Sequence, residues 1–208
     1  RDYLRGLRWD GKRRIEGMLT TYMGAAPGLA NDAVAYRWMI SAVARIMAPP
    51  VKVDTMLILA GKQGAGKSTF AAILGGEWFS DAEVDPHNIK DAVLNLQGVW
   101  IMEVGEVDKW KGREQSTVKA FITRENDKIR KPYGRYPEHF PRQSVFIGTT
   151  NADDFLTDST GARRYWPVLV GRLDAEALRR DRDQLWAEAV RMFVDGEGSP
   201  LVTIGELV

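Results

Sequence analysis

Cysteine is absent from the 208 residues, so no disulfide or thiolate-held metal secures the chain and no thiol nucleophile exists. Only two histidines occur, His87 and His139, and neither sits in a ligand-like cluster, which argues against zinc. A Gly-x-Ser-x-Gly elbow is missing too. No run approaches the roughly 20 consecutive apolar residues that span a bilayer. The charged start Arg1-Asp2-Tyr3-Leu4-Arg5 lacks the apolar core of a secretory signal. These absences exclude a membrane protein and a disulfide scaffold, and they fit a reducing cytoplasm. A chain opening on Arg1 instead of Met is expected to be a piece of a longer protein.

Composition is that of a globular domain, 44% hydrophobic and 27% charged. The length suits one α/β domain with a small helical attachment. A net charge of +1 conceals an asymmetry. Between Lys109 and Arg142 ten Lys/Arg face four acids, so that segment carries +6 and the remainder −5. Such a concentration points to a directed contact with an anion.

Periodicity divides the chain into an N-terminal helical region (1–50), a core (51–170) and a C-terminal helical segment (171–208). Asn31 or Asp32 can cap a helix that runs to Met47 and is stopped by Ala48-Pro49-Pro50. Apolar runs predict strands over 53–60, 78–80, 99–104 and 144–150. Helical patterns cover 67–74, 86–96, 114–123 and 183–193. Residues 128–140, with Pro132, Gly134 and Pro137, suit a hairpin or an ordered loop. Trp38, Trp100 and Trp186 fall in apolar patterns and read as core. Strands alternating with helices imply a mostly parallel α/β sheet covered on both faces. Ligands then collect where the strands end.

Gly61-Lys62-Gln63-Gly64-Ala65-Gly66-Lys67-Ser68 fits the phosphate-loop pattern G-x-x-x-x-G-K-[ST] at every fixed position. The context fits as well, a hydrophobic strand before it and a helix after it. Backbone N–H groups of Gly61, Gln63, Gly64, Ala65, Gly66 and Thr69, with the positive end of the helix, form a cradle for a polyphosphate. Lys67 would reach the outer phosphates of ATP, and Ser68 would hold Mg²⁺.

Hydrolysis needs an acid to organise the metal and a group to position water. Glu103 closes an apolar strand and is the candidate metal-organising acid. Glu106, three residues on, can polarise the water, and either acid can be the base. Asn151 ends the third strand and can hydrogen-bond the γ-phosphate. Arg163 and Arg164 are adjacent in Thr160-Gly161-Ala162-Arg163-Arg164-Tyr165. One of them is expected to serve the transition state, often from a neighbouring subunit, and the other to pair structurally.

Lys128, Arg130, Lys131, Tyr133, Arg135 and Tyr136 interleave cations with tyrosines. Phosphates attract the cations and unpaired bases stack on the rings, so this element is a candidate DNA contact.

Taken in order, these motifs resemble the virulence-associated protein E family, phage and mobile-element ATPases related to superfamily 3 helicases and AAA+ proteins. The resemblance runs from Tyr3-Leu4-Arg5-Gly6-Leu7-Arg8-Trp9-Asp10-Gly11-Lys12 through Trp78-Phe79-Ser80-Asp81 and Pro132-Tyr133-Gly134-Arg135. It continues through Gly148-Thr149-Thr150-Asn151 and Thr160-Gly161-Ala162-Arg163-Arg164. It implies a P-loop NTPase fold, an ATP-driven motor on single-stranded or forked DNA, and a bacterial host cell. Glu103 would be the Walker B acid, Asn151 sensor 1, and Arg163 or Arg164 the arginine finger. It further implies a homo-oligomeric ring, commonly a hexamer, and a primase-type domain ahead of this segment in the full protein. Many AAA+ proteins place two acids side by side, whereas Val104 and Gly105 separate Glu103 from Glu106 here.

The function expected is therefore that of a replication motor, a helicase of the primase-helicase type. The alternative is an ATP-dependent DNA-binding switch without unwinding activity. A nucleotide kinase or GTPase is a further rival, and the missing Asn-Lys-x-Asp pattern counts against the GTPase.

Overall fold

The computed structural model describes residues 1–83, 85, 88–107, 113–129, 135–151 and 164–196. Three helices come first: α1 (Asp2–Gly6), α2 (Met18–Met23) and α3 (Leu29–Met47). The core follows as β1 (Met56–Ala60), α4 (Lys67–Gly75), β2 (Phe79–Ser80), α5 (Ile89–Asn95), β3 (Ile101–Val104) and α6 (Arg113–Ile122). Then come β4 (Asn126–Ile129), β5 (Glu138–Pro141), β6 (Val145–Thr150), β7 (Tyr165–Leu169) and α7 (Ala175–Val194).

Five strands form one parallel sheet in the order β2-β3-β6-β1-β7, and β4 pairs with β5 as a separate antiparallel hairpin. Successive side chains of a strand point to opposite faces. Here they do so between two apolar cores. Leu57, Leu59, Ile101, Val145 and Ile147 pack with α2, α3, α4 and α7. Met56, Ile58, Met102, Val104 and Phe146 pack with α5 and α6. That double burial explains why β1, β3 and β6 read as continuous apolar runs.

The three core tryptophans join helices to the sheet. Trp38, Trp100 and Trp186 are all buried, and the rings of Trp100 and Trp186 lie 4.2 Å apart. Each indole N–H finds a backbone carbonyl, donating to Phe146, Ala42 and Leu74 respectively. Leu74 belongs to the last turn of α4, whose orphan carbonyls also accept from Arg182 Nε. Residues of α7 thus close the far end of the helix that follows the phosphate loop.

Three elements depart from the sequence expectation. Helix α7 begins at Ala175, eight residues before the expected start, because Asp174 caps it by accepting from Ala177 N. Its first two turns are mostly charged and show no apolar stripe. Strand β7 was not expected, since Pro167 interrupts the run. It is an edge strand with β1 as its sole sheet neighbour, the setting in which Pro is tolerated. Helix α3 starts after Gly28 with no side-chain cap. Asn31 and Asp32 instead bond Ala26 O and Gly17 N.

The N-terminal segment is fastened to α7 by one buried carboxylate. Glu188 Oε2 accepts from Arg14 N at 2.7 Å and from Ile15 N at 3.1 Å. Burial raises the Glu188 pKa, opposed by those two bonds. Glu188→Ala, which strands both N–H groups, should cost about 2 kcal/mol in urea unfolding. Glu188→Gln keeps an acceptor and removes the buried charge. A raised folded-state pKa means the penalty is absent below the ordinary carboxylate range and grows as pH rises through the raised value. The Gln variant should therefore match or exceed wild type at pH 8, with the advantage closing in acid.

Candidate nucleotide site at the strand ends

The parallel register brings the ends of β1, β3 and β6 to one edge. Gly61 N donates to Thr150 O and Val170 N to Ala60 O, so the phosphate loop starts among the carboxyl ends of its neighbours. Gly64 and Gly66 adopt φ of 81° and 90°, left-handed values that suit glycine. The turn is closed by Ala65 N donating to Lys62 O at 3.2 Å. Helix α4 then begins at Lys67, and its first turn leaves the N–H groups of Lys67, Ser68 and Thr69 without intrahelical acceptors. The positive end of α4 thus coincides with the glycine turn.

Lys67 is buried, 8% exposed, and its Nζ donates to Gly61 O at 2.6 Å, Lys62 O at 3.0 Å and Asn151 Oδ1 at 2.9 Å. Burial pushes its pKa down, against the pull of the Glu103 charge. Beside it, Glu103 Oε1 accepts from Ser68 Oγ at 2.7 Å and from Thr149 Oγ1 at 2.9 Å. Alternation explains the meeting. Glu103 shares the face of Ile101, and Thr149 that of Val145 and Ile147, which is the face covered by α4. Four sequence-predicted residues from two strand ends and one helix are therefore brought together as two hydrogen-bonded pairs, Lys67 with Asn151 and Ser68 with Glu103, linked by the attraction between the Lys67 and Glu103 charges.

Thr149 was not anticipated as a member. The signal was its spacing, two and four residues after the inward-facing Ile147 and Val145. The wall of the loop was also missed. Leu173 N donates to Ala65 O at 2.9 Å, and a Cβ at Gly66 would stand 2.6 Å from Leu173 Cβ. A Cβ at Gly61 would stand 2.7 Å from Val170 O. The segment after β7 thus packs directly on the loop.

The donor set fits Mg²⁺ with a triphosphate. An amine, a hydroxyl and a carboxylate converge on a helix N-terminus, and a hard cation takes such oxygens together with phosphate and water. Among the described residues no group of three His, Cys, Asp or Glu forms a self-contained metal cage.

Other predicted residues lie elsewhere. Glu106 follows the end of β3, exposed, with φ of 53°, an unusual value for a non-glycine residue. Arg164 sits at the opposite edge of the sheet, where its O accepts from Met56 N, and its Nε is buried with no acceptor among the described residues. Arg163, Arg130, Lys131 and Tyr133 lie outside the described residues. Lys128 lies in β4 opposite His139, exposed, and Arg135 and Tyr136 are exposed nearby, Tyr136 to 74%. The hairpin leads through Arg142 and Ser144 into the amino-terminal end of β6, so it occupies the edge away from the phosphate loop.

The chain is an α/β domain with its polar cluster at the carboxyl edge of a parallel sheet. It belongs to the virulence-associated protein E-like domain family, whose model matches residues 4–205. Among curated proteins none matches the chain. Its fold is similar to that of the apo NrS-1 C-terminal region (305–718), with a TM-score of 0.63 and 18% identity over 98% of this chain and 52% of that one. An A-form apo structure of the NrS-1 C-terminal region gives a TM-score of 0.62 and 14% identity over 90% and 47% of the two chains. The chain thus spans about half the length of the solved structures it resembles. No helix among the described residues is long and apolar enough to cross a membrane.

The packing at Gly66 yields a test. Gly66→Ala meets both an unfavourable φ, worth about 1–2 kcal/mol, and the Leu173 side chain. It should lower Tm in a thermal melt. Adding Leu173→Gly, which removes the Cβ that the new methyl would meet at 2.6 Å, should recover only part of the Tm, because the backbone strain persists.

Proposed function

We propose that this domain is the ATP-hydrolysing motor of a phage or mobile-element DNA replication protein, acting as a helicase. The observation that carries the reading is the cluster of Lys67, Ser68, Glu103 and Asn151 at the positive end of α4. Strand order supports it: β6 lies between the loop strand β1 and the acidic strand β3, so Asn151 emerges between the loop and the carboxylate.

Within this reading, N–H groups of the glycine turn and of the first turn of α4 bind the phosphates. Lys67 exchanges its carbonyl and amide acceptors for phosphate oxygens, and the Asn151 amide is released to face the γ-phosphate. Ser68 Oγ and Glu103 would hold Mg²⁺, which when bound neutralises charge on the phosphate oxygens. Thr149 holds the Glu103 carboxylate in position. Glu106 and Glu103 are the two acids near enough in sequence to orient the attacking water.

Arg164 bears on assembly. It lies at the amino-terminal end of β7, a strand five residues long, whereas the phosphate loop lies at the carboxyl end. At ~3.3 Å per residue the two edges are about 15 Å apart. An arginine there serves a neighbouring subunit's triphosphate more readily than its own, in keeping with a ring. DNA is the proposed partner through Lys128, Arg130, Lys131, Tyr133, Arg135 and Tyr136, and a primase-type domain is proposed for the longer protein.

Lys67→Ala should abolish ATP turnover with the fold retained by circular dichroism; undiminished turnover would refute the assignment. ATPase rates measured with and without single-stranded DNA, across protein concentration, should rise with both. Mixing Lys67→Ala with Arg164→Ala subunits should restore part of the activity if the arginine acts across a subunit junction. A DNA-binding switch would instead bind ATP and DNA yet displace no strand from a forked duplex.

A further inference from the structure

We propose that the turn between β7 and α7 is the nucleoside wall of the candidate site, with Arg172 lying against the base and ribose of a bound nucleoside triphosphate. The inference rests on the motor reading above and adds to it a residue outside every phosphate-loop motif.

Strand order gives the direction of the ligand. Lys67 Nζ meets Asn151, which follows β6, and Ser68 meets Glu103 of β3. In the motor reading these are the contacts of the γ-phosphate and its metal. The loop itself follows β1, and β7 is the neighbour of β1 on the side away from β6. A triphosphate with its outer end toward β6 and β3 and its middle on the glycine turn leaves its nucleoside on the β7 side. The wall met there is the segment 170–174.

Backbone bonds hold that segment from both flanks. Toward the loop, Val170 N donates to Ala60 O and Leu173 N to Ala65 O. Toward the N-terminal helices, Gly171 N donates to Met23 O at 2.8 Å and Asp174 N to Tyr22 O at 2.9 Å. A Cβ at Gly171 would stand 3.1 Å from Gly24 O, so the end of α2 is pressed onto the turn. Every residue of the segment except Arg172 thus spends its N–H in fixing the wall.

Arg172 is exposed. Among the described residues neither its N–H nor its guanidinium has a hydrogen-bond or ion-pair partner. The nearby Asp174 is engaged elsewhere, its Oδ1 accepting from Ala177 N as the cap of α7. Leu173, the next residue, stands 2.6 Å from where a Cβ of Gly66 would be, so Arg172 lies one residue from the glycine turn. The wall is therefore fixed, while its one long side chain is uncommitted. A guanidinium is planar and weakly hydrated, stacks on aromatic faces and donates to oxygens. A nucleoside offers it both a ring face and ribose hydroxyls. A cation also attracts phosphate, and a ligand without the nucleoside separates the two contacts.

The test is calorimetric titration, with Mg²⁺, of the β,γ-imido analogue of ATP and of inorganic tripolyphosphate. Arg172→Ala should weaken the imido analogue at least about fivefold and tripolyphosphate by less than about twofold, with an unaltered Tm. An equal loss for both ligands would make Arg172 a phosphate ligand, and no loss for either would leave it a solvated side chain. Each result overturns the proposal. Wild-type ATP turnover beside either result would leave the motor reading standing. A wild-type protein that binds neither ligand would sink the motor reading, and the nucleoside wall with it.

Discussion

One carboxylate oxygen ties the candidate site together. Glu103 Oε1 accepts from a helix residue, Ser68, and from a neighbouring strand, Thr149. Both donors reach it because β3 and β6 run parallel in a register that pairs Glu103 with Ile147 and turns Thr149 to the same face. That face is the one α4 covers. A one-residue slip of β3 would send the carboxylate into the apolar layer under α5 and α6, where nothing could hold it. The site is thus a consequence of sheet register before it is a consequence of any loop.

The phosphate loop depends on the same sheet through its other neighbour. Gly61 and Gly66 are pressed against Val170 and Leu173, which follow β7, and α7 begins directly after them. At its far end α4 is closed by Trp186 and Arg182 of α7. The helix that presents its positive end to the site is therefore clamped at both ends by one C-terminal element. The N-terminal segment is fastened to that element through Glu188. Helices flanking the core in sequence share its apolar layer in space.

Much of this was legible in the residues. The buried strands announced themselves as apolar runs because both faces of a parallel sheet are covered, and the glycine-Lys-Ser turn marked the loop. Thr149 escaped because the motif Gly148-Thr149-Thr150-Asn151 directs attention to its terminal Asn151 and not to the hydroxyl two residues before it. It emerges only when alternation is counted back to Val145. Strand β7 escaped because Pro167 contradicts a strand pattern unless the strand is known to be at an edge. The first turns of α7 escaped because Glu176, Arg179 and Arg180 show no apolar period, and the capping Asp174 holds them instead. Arg164 reads in sequence as a companion of the site, yet the parallel direction of β7 carries it to the opposite edge.

That opposition constrains any mechanism. The candidate site lies at the carboxyl edge of the sheet, while the hairpin joins the amino-terminal edge, roughly a strand length away at ~3.3 Å per residue. Direct electrostatic action across that distance is weak at physiological ionic strength, where screening sets in within about 8 Å. Coupling between the two edges would have to pass through packed elements, and β6 is one that runs from edge to edge. It begins beside Arg142, which anchors the hairpin through Asp127 while stacking on Phe121 and Phe146. It ends at Thr149 and Asn151, which touch Glu103 and Lys67. A single strand therefore carries a hairpin anchor at one end and two members of the candidate site at the other. A shift of Asn151 toward a γ-phosphate would draw on the same strand that fixes the hairpin.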